Sequence, residues 1–423
     1  ENAYFMHVYV HQILKQVHPG LSVIWLRNPD TTEHNYGVGS RPFYSALHSQ
    51  DHLLGELIAG LKKQHAWAST DLLVMSDHGH SNVSGPLSTF PLRGISHHRI
   101  SSLKPDGYSV SGDFRPADLL SKAGFHAFDG TGCQFDPVLT GIKRNGQPIY
   151  PVLRDSSGRV CGGDVKVVDQ NGHRENSVGA KYTSPAYFVP SVLPKDAIVV
   201  AANGGSTYFY LPSHRPALAK KLVRFLQSYP QFGVVFVDPR YSISGTLPLT
   251  QVKLYNKHQR HPDVIVGSSF DAKATVMGFP GTEYNSGGID RGMHGSFSPV
   301  DVHNTLIAFG PDFKSSFVDT LPSGNVDVAP TIARLLGLHL PNTDGRVLYE
   351  SLKGGAALSS YQVKPLTVSA KPVSGLRITK VTDPSGRTID PALHHYNASL
   401  QIKSLSHAGR VHYYFDQAKA WRW

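Results

Sequence analysis

Apolar positions recur at helical spacing from the first residues. Between Tyr4 and Val17, the residues Tyr4, Val8, His11, Ile13, Leu14 and Val17 fall on or near one face, and Pro19-Gly20 stops the run. Ser22 to Leu26 is a short apolar stretch that reads as a buried strand, and a polar loop fills Arg27 to Ser40. A long helix is predicted from about Pro42 to His65, with Leu47, Leu53, Leu54, Leu57, Ile58 and Leu61 at helical spacing. Asp71 to Ser76 reads as a second buried strand. Continuous apolar strands alternating with helices predict an α/β fold, with a largely parallel central sheet and helices on both faces.

From about Gly79 to Pro194 the pattern breaks. Gly, Pro, Ser and Asn are dense, and runs such as Gly141 to Arg159 read as hairpins. The α/β rhythm returns with a strand at Ala197 to Ala202 and a helix at Arg215 to Tyr229. Phe232 to Val237, Asp263 to Val266 and Thr305 to Phe309 are further strand candidates, and a helix at Val326 to Leu336 is stopped by Gly337. After Gly354 the text is β-like to the end. The expected organisation is one large domain, 1–354, with a loop- and strand-rich insertion at about 79–194, followed by a C-terminal β-rich extension, 355–423. The chain opens in mid-pattern at Glu1, so a chain lacking N-terminal sequence is expected.

Composition narrows this further. The 423 residues are 40% apolar and only 17% charged, which excludes a wholly disordered chain. A net charge of +10 favours anionic partners, but the Lys and Arg residues are scattered and lack the aromatic-interleaved basic stripe of a nucleic-acid binder. No apolar run reaches the ~18–20 residues of a membrane helix. Two cysteines, Cys133 and Cys161, exclude a disulfide scaffold and a four-thiolate zinc site; they could form one bridge or be two buried thiols.

Three polar clusters carry the candidate chemistry. Asn28-Pro29-Asp30-Thr31-Thr32-Glu33-His34 follows the first predicted strand; if it turns helically, Asp30 and His34 face one side, a pair suited to a divalent ion of the zinc type. The same Asp could instead cap a helix. Ser76-Asp77-His78-Gly79-His80 follows the second strand, where a glycine turn lets Asp77 and His78 converge on one ion; a polar surface turn is the alternative. Gly287 to Ser296 is a Gly-rich loop around His294, which is either a third ligand or a solvated side chain. In open α/β sheets, ligands bind beyond the carboxyl ends of strands, where the first two clusters fall. His80, His97 and His98 lie near the second cluster and could approach a substrate, but they read rather as surface histidines. Asn203-Gly204-Gly205-Ser206 could touch phosphate through its amides or be a tight turn. Asn82-Val-Ser and Asn397-Ala-Ser match the glycosylation sequon.

As an ordered set, Pro29-Asp30…His34, Ser76-Asp77-His78-Gly79 and Met293-His294-Gly295 resemble the alkaline phosphatase superfamily, and within it the type I phosphodiesterase / nucleotide pyrophosphatase branch. Asp327 to Gly337 resembles that family's closing helix, and Asp344-Gly345-Arg346 its final turn. The resemblance spans roughly residues 1–350. It implies an alkaline phosphatase-like fold and two divalent ions, usually Zn²⁺, with Asp30, His34 and His294 on the first and Asp77 and His78 on the second. It further implies a periplasmic or secreted hydrolase acting on a small phosphate ester or nucleotide through a covalent phospho-enzyme. The family's nucleophile, a Thr or Ser, and a further Asp ligand have no counterpart in this chain; Thr31 and Thr32 stand inside the ligand loop. The alternatives are a phosphomonoesterase or phosphonate hydrolase on the same scaffold, or a catalytically inactive metal-binding chain.

Overall fold

The computed structural model describes residues 1–83, 116–129, 192–256, 260–284, 291–382, 388–389 and 393–423. Cys133, Cys161, His97, His98, the hairpins expected at 141–159 and most of the insertion expected at 79–194 lie outside the described residues.

The first amphipathic segment is helical throughout, as α1 (Asn2–Val8), a π-helical turn (Tyr9–Ile13) and α2 (Leu14–Val17). Its buried stripe is Met6, Val10 and Leu14, packed on Leu53, Leu57 and Leu61 of a later helix. Tyr4, Ile13 and Val17, expected on the inner face, are exposed. A strict four-residue repeat drifts around an α-helix, and the wider π turn brings it back into line.

Next come α3 (Asp30–Tyr36) and α4 (Arg41–Lys63), the latter capped by the Ser40 hydroxyl, which accepts from the Phe43 N–H. Between α2 and α3, the strand expected at Ser22 to Leu26 is not formed. Ile24 and Leu26 pack against the helix pair while Val23 and Trp25 are 85% and 82% exposed, and no described strand lies alongside. A short apolar run specifies extended backbone but not a partner.

β1 (Leu72–Met75) falls where the second strand was expected, but only half-buried and paired antiparallel with β12 (Leu306–Phe309). β2 (Ser81–Val83) joins a sheet of order β11-β2-β10-β9, made with β9 (Phe270–Val276), β10 (Phe279–Glu283) and β11 (Gly292–Met293). Around α5 (Pro116–Lys122) and α6 (Pro216–Gln227) stands a six-stranded sheet of order β3-β4-β5-β8-β6-β7: β3 (His126–Asp129), β4 (Ala197–Asn203), β5 (Ser206–Tyr210), β6 (Phe232–Val237), β7 (Leu247–Pro248) and β8 (Val264–Ser268). The fold is α/β, as expected, and its described sheets are mixed. β3–β4 and β6–β7 are parallel, whereas β4–β5, β5–β8 and β6–β8 are antiparallel. The reason is local: Gly204-Gly205 turns β4 straight into β5, and a tight turn gives antiparallel pairing where a helical crossover gives parallel.

α7 (Pro299–Val302) and α8 (Val328–Leu335) precede the C-terminal β unit. There β13 (Gln362–Ser369), β16 (Tyr396–His407) and β17 (Arg410–Arg422) form a three-stranded sheet, with β14 (Val381–Thr382) and β15 (Thr388–Ile389) as a small pair between. The unit shares its core with the six-stranded sheet: Tyr396, Ala398, Leu400 and Ala418 are buried in one cluster with Phe209, Phe236 and Ile265. Arg422 fastens it by donating to the carbonyls of Gln227, Tyr229 and Phe232 at 2.9, 2.8 and 2.7 Å.

Beside this core, buried Asp238 pairs with His261 Nε2 at 2.6 Å and accepts from the Arg240 N–H at 2.8 Å. Burial alone would raise its carboxyl; the hydrogen bonds and charge of Arg240 and His261 outweigh burial and hold it below the usual carboxylate range. A depressed pKa adds stability that is complete above the unfolded value of 3.8 and is lost as pH falls through the folded one. Asp238→Asn is therefore expected to flatten the acid limb of stability, read as urea midpoints between about pH 5 and pH 2. An unchanged limb would remove Asp238 from the acid response.

Candidate metal centre

α3 and two strand ends bring the first two clusters together. Asp30 opens α3, and the helix has no side-chain cap bond; the carboxylate turns toward a group of imidazoles instead of capping. Asp30 Oδ1 lies 3.4 Å from His34 Nε2, 3.5 Å from His294 Nε2 and 3.8 Å from His80 Nδ1. Two sets of donors converge within 4.8 Å: Asp30, His34 and His294, and Asp30, His78 and His80. Asp30 belongs to both. The rings of His78 and His294 stack at 3.6 Å, and those of His34 and His294 are 5.1 Å apart.

Backbone carbonyls fix two of the imidazoles. His34 Nδ1 stands 2.9 Å from the Gly292 carbonyl and His78 Nδ1 2.9 Å from the Gly79 carbonyl. A carbonyl only accepts, so each Nδ1 carries the proton and each Nε2 presents its lone pair. Glycine permits these approaches. A Cβ on Gly79 would meet the Val300 carbonyl oxygen at 1.9 Å, and one on Gly292 would meet the Glu33 carbonyl at 2.6 Å and His80 Nε2 at 2.9 Å.

Behind the imidazoles, buried Asp301 ties two of the supporting segments. It accepts from the Ser81 hydroxyl at 2.5 Å, next to His80, and from the Ser296 hydroxyl at 2.6 Å and N–H at 3.0 Å, two residues past His294. The Gly205 N–H donates to the His294 carbonyl at 2.8 Å, so Asn203-Gly204-Gly205-Ser206 is the tight turn, pressed on the His294 loop. Asn325 holds the carbonyls of Ser76 and Asp77 at 3.2 and 2.9 Å.

Burial raises the Asp30 carboxyl, but the surrounding imidazoles, His34 foremost and then His80 and His294, outweigh it and hold the group below the usual carboxylate range. Burial, reinforced by His78, His80 and His34, pushes His294 down to about 4 and keeps its imidazole neutral. A carboxylate among imidazoles is the donor chemistry of a zinc-type ion. Asp30 Oδ1 and both ring nitrogens of His80 are buried without a hydrogen-bond partner, which is costly unless a cation takes the lone pairs. The residues present therefore fit a divalent metal.

The sequence-derived set is brought together in part. Asp30, His34 and His294 come together. His78 falls with Asp30 and His80. Asp77 is 57% exposed, accepts from the His78 N–H and joins no three-donor group among the described residues. His80, expected on the surface, has a side chain only 5% exposed and lies 3.2 Å from Glu33 Oε2, out of line for a hydrogen bond. The only hint in the sequence was its place two residues past His78. Asn82 is buried and bonds the Val38 N–H and carbonyl through its side chain, which takes the first sequon out of reach of modification.

Part of the chain is similar to known proteins. Residues 6–120 match the family model described as Type I phosphodiesterase / nucleotide pyrophosphatase. That stretch, about a quarter of the chain, is similar to that family. The matched stretch contains Asp30, His34, Asp77, His78 and His80; His294 lies beyond it. Venom phosphodiesterase 2 of Crotalus adamanteus is 34% identical over 70 residues, 16% of this chain and 9% of that protein. Ectonucleotide pyrophosphatase/phosphodiesterase family member 1 of Homo sapiens is 34% identical over 68 residues, 16% of this chain and 7% of that protein. The matches thus span less than a tenth of these curated relatives. The solved structure of human ectonucleotide pyrophosphatase / phosphodiesterase 5 aligns at a TM-score of 0.41 with 13% identity, over 83% of this chain and 62% of that one.

Proposed function

We propose that this chain is a metal-dependent phosphoric-ester hydrolase of the phosphodiesterase / nucleotide pyrophosphatase kind. The observation that carries the reading is Asp30 Oδ1, buried, partnerless and shared by two converging sets of imidazole donors. One divalent ion, Zn²⁺ by donor type, would be held by Asp30, His34 and His294. A second would lie on the His78 side, with His80 as an added donor and Asp77 at its outer edge. Such a pair, when bound, neutralises a phosphodiester's charge and lowers the pKa of an attacking oxygen.

The chain's own residues hold this centre rigid. Gly292 and Gly79 orient His34 and His78, and Asp301 locks the segments bearing His80 and His294. The attacking group is not taken from the ligand loop: the Thr31 hydroxyl accepts from Arg27 at 2.9 Å and the Thr32 hydroxyl donates to Asn28 at 3.2 Å. A covalent phospho-enzyme remains part of the proposal, with its nucleophile outside the set described. The small substrate and export from the cell belong to the same reading. They are supported by relatives whose names say venom phosphodiesterase and ectonucleotide pyrophosphatase.

The test is hydrolysis of an aryl phosphodiester against an aryl phosphomonoester by zinc-reloaded protein. The expected result is preference for the diester, lost with a chelator and restored by zinc. Preference for the monoester would move the assignment to a phosphomonoesterase. Zinc binding without turnover of either would support the inactive metal-binding alternative and overturn the hydrolase reading.

A further inference from the structure

A second set of metal-type donors lies apart from the candidate centre, on the outer side of the helix pair α1 and α4. His7 and His11 are four residues apart, and their rings lie 4.3 Å centroid to centroid. Glu56 of α4 faces both, with Oε1 3.9 Å from His7 Nδ1 and 3.6 Å from His11 Nε2. One donor atom from each residue lies within 4.8 Å of the others.

We propose that His7, His11 and Glu56 form a further divalent-metal site, of the zinc type, that clips the N-terminal helix to α4. The separations suit a shared ion better than direct pairing. At 3.6 and 3.9 Å the imidazoles are too far from the carboxylate for hydrogen bonds. Bonds of about 2.0–2.2 Å from zinc to an imidazole nitrogen or a carboxylate oxygen place tetrahedral donors roughly 3.3 Å apart, so the two imidazole–carboxylate separations need to close by only a few tenths of an ångström. Two imidazoles and one carboxylate match the two-His, one-carboxylate donor set of many zinc centres, with a fourth position open to water. The framework is already fixed. Met6, Val10 and Leu14 bury the inner side of the first helix against Leu53, Leu57 and Leu61, and a Cβ on Gly60 would meet Val10 Cγ1 at 2.6 Å, so the helices touch closely one turn beyond Glu56. His7 falls just before the π turn and His11 within it, so the same turn that aligns the apolar stripe sets the spacing of the two rings. The site differs from the candidate centre in exposure. The side chains of His7 and His11 are 66% and 51% exposed, so an ion exchanges freely with solvent. The clip is thus a reversible one, formed when free metal is present, and it acts on packing rather than on substrate.

The test is calorimetric titration of metal-free protein with zinc alone, run on the wild type and on His7→Gln, His11→Gln, Glu56→Gln and His48→Gln, with thermal unfolding of each with and without zinc. His48 is an exposed histidine of α4 and serves as the control. The expected result is that wild type and His48→Gln bind one zinc more than the three site variants, or bind it about tenfold or more tightly, and that the zinc-dependent rise in melting temperature shrinks in the site variants. The Gln side chains keep the bulk of the exposed residues, and unfolding without metal reports on folding by itself. Equal stoichiometry, affinity and zinc-dependent stabilisation in all five proteins would overturn the site. A loss in His48→Gln equal to that in the site variants would overturn the ligand assignment. Zinc bound at the candidate centre is present in every variant, so failure here leaves the proposed function untouched.

Discussion

Asp30→Asn is expected to cost the chain its zinc at both positions of the candidate centre. Asp30 is the one carboxylate common to the two donor sets, and it is held ionised by His34, His80 and His294. An amide of the same shape keeps the helix α3 but brings no negative charge to a group of four imidazoles. Loss of an outer-shell partner typically lowers metal affinity 10–100-fold, so loss of this direct donor is expected to cost about 100-fold or more at each position. Competition against a chromophoric chelator measures it. His80→Ala is expected to weaken only the position shared with His78, and Asp77→Asn to have the smallest effect of the three, because its carboxylate is turned to solvent. If Asp30→Asn and Asp77→Asn proved equal, Asp30 would lose its central place.

The largest effect on stability is expected at Arg346. Its guanidinium grips the wholly buried Glu350 in a two-pronged pair at 2.7 and 2.5 Å, donates to the Tyr414 hydroxyl at 2.9 Å and reaches the Pro322 carbonyl at 3.2 Å. Its own N–H donates to Asp327 Oδ1 at 2.8 Å, tying the final turn to the start of α8. Burial pushes the neighbouring Asp319 carboxyl up to about 6, with the charge of Glu350 adding to it; Arg346 opposes this. Arg346→Met leaves Glu350 charged and buried beside another acid, and removing one partner of a buried pair costs about 3–5 kcal/mol. Arg346→Met with Glu350→Leu is expected to recover most of that, because the orphaned charge leaves with its partner. Urea midpoints of the two variants decide the matter; a single variant as stable as the double would show that Glu350 is neutralised at little cost.

What the sequence made legible follows from which forces are local. Helices α4, α6 and α8 were visible because their apolar spacing and their stops, such as Gly337 at φ +67°, act within a few residues. Asp30, His34 and His294 could be chosen because a polar cluster after an apolar run, or a histidine among glycines, is uncommon. His80 was unreadable. Its burial depends on Gly292 approaching from more than two hundred residues away, and by itself it looks like any polar residue after a turn. Asp301 was missed for the same reason, since its hydroxyl partner Ser81 is separated from it by 220 positions. Strand pairing was missed because an apolar run sets burial, while direction depends on whether the next segment is a turn or a crossover. Gly204-Gly205 was on the page, but both a phosphate loop and a hairpin use that pattern.

The most direct measurement is anomalous scattering at the zinc absorption edge from a crystal of the zinc-loaded chain. The account predicts a peak bonded at about 2.0–2.2 Å to Asp30, His34 and His294. Crystals of the zinc-loaded chain with no peak between those three side chains, or with Asp30 bound to protein donors alone, would contradict it.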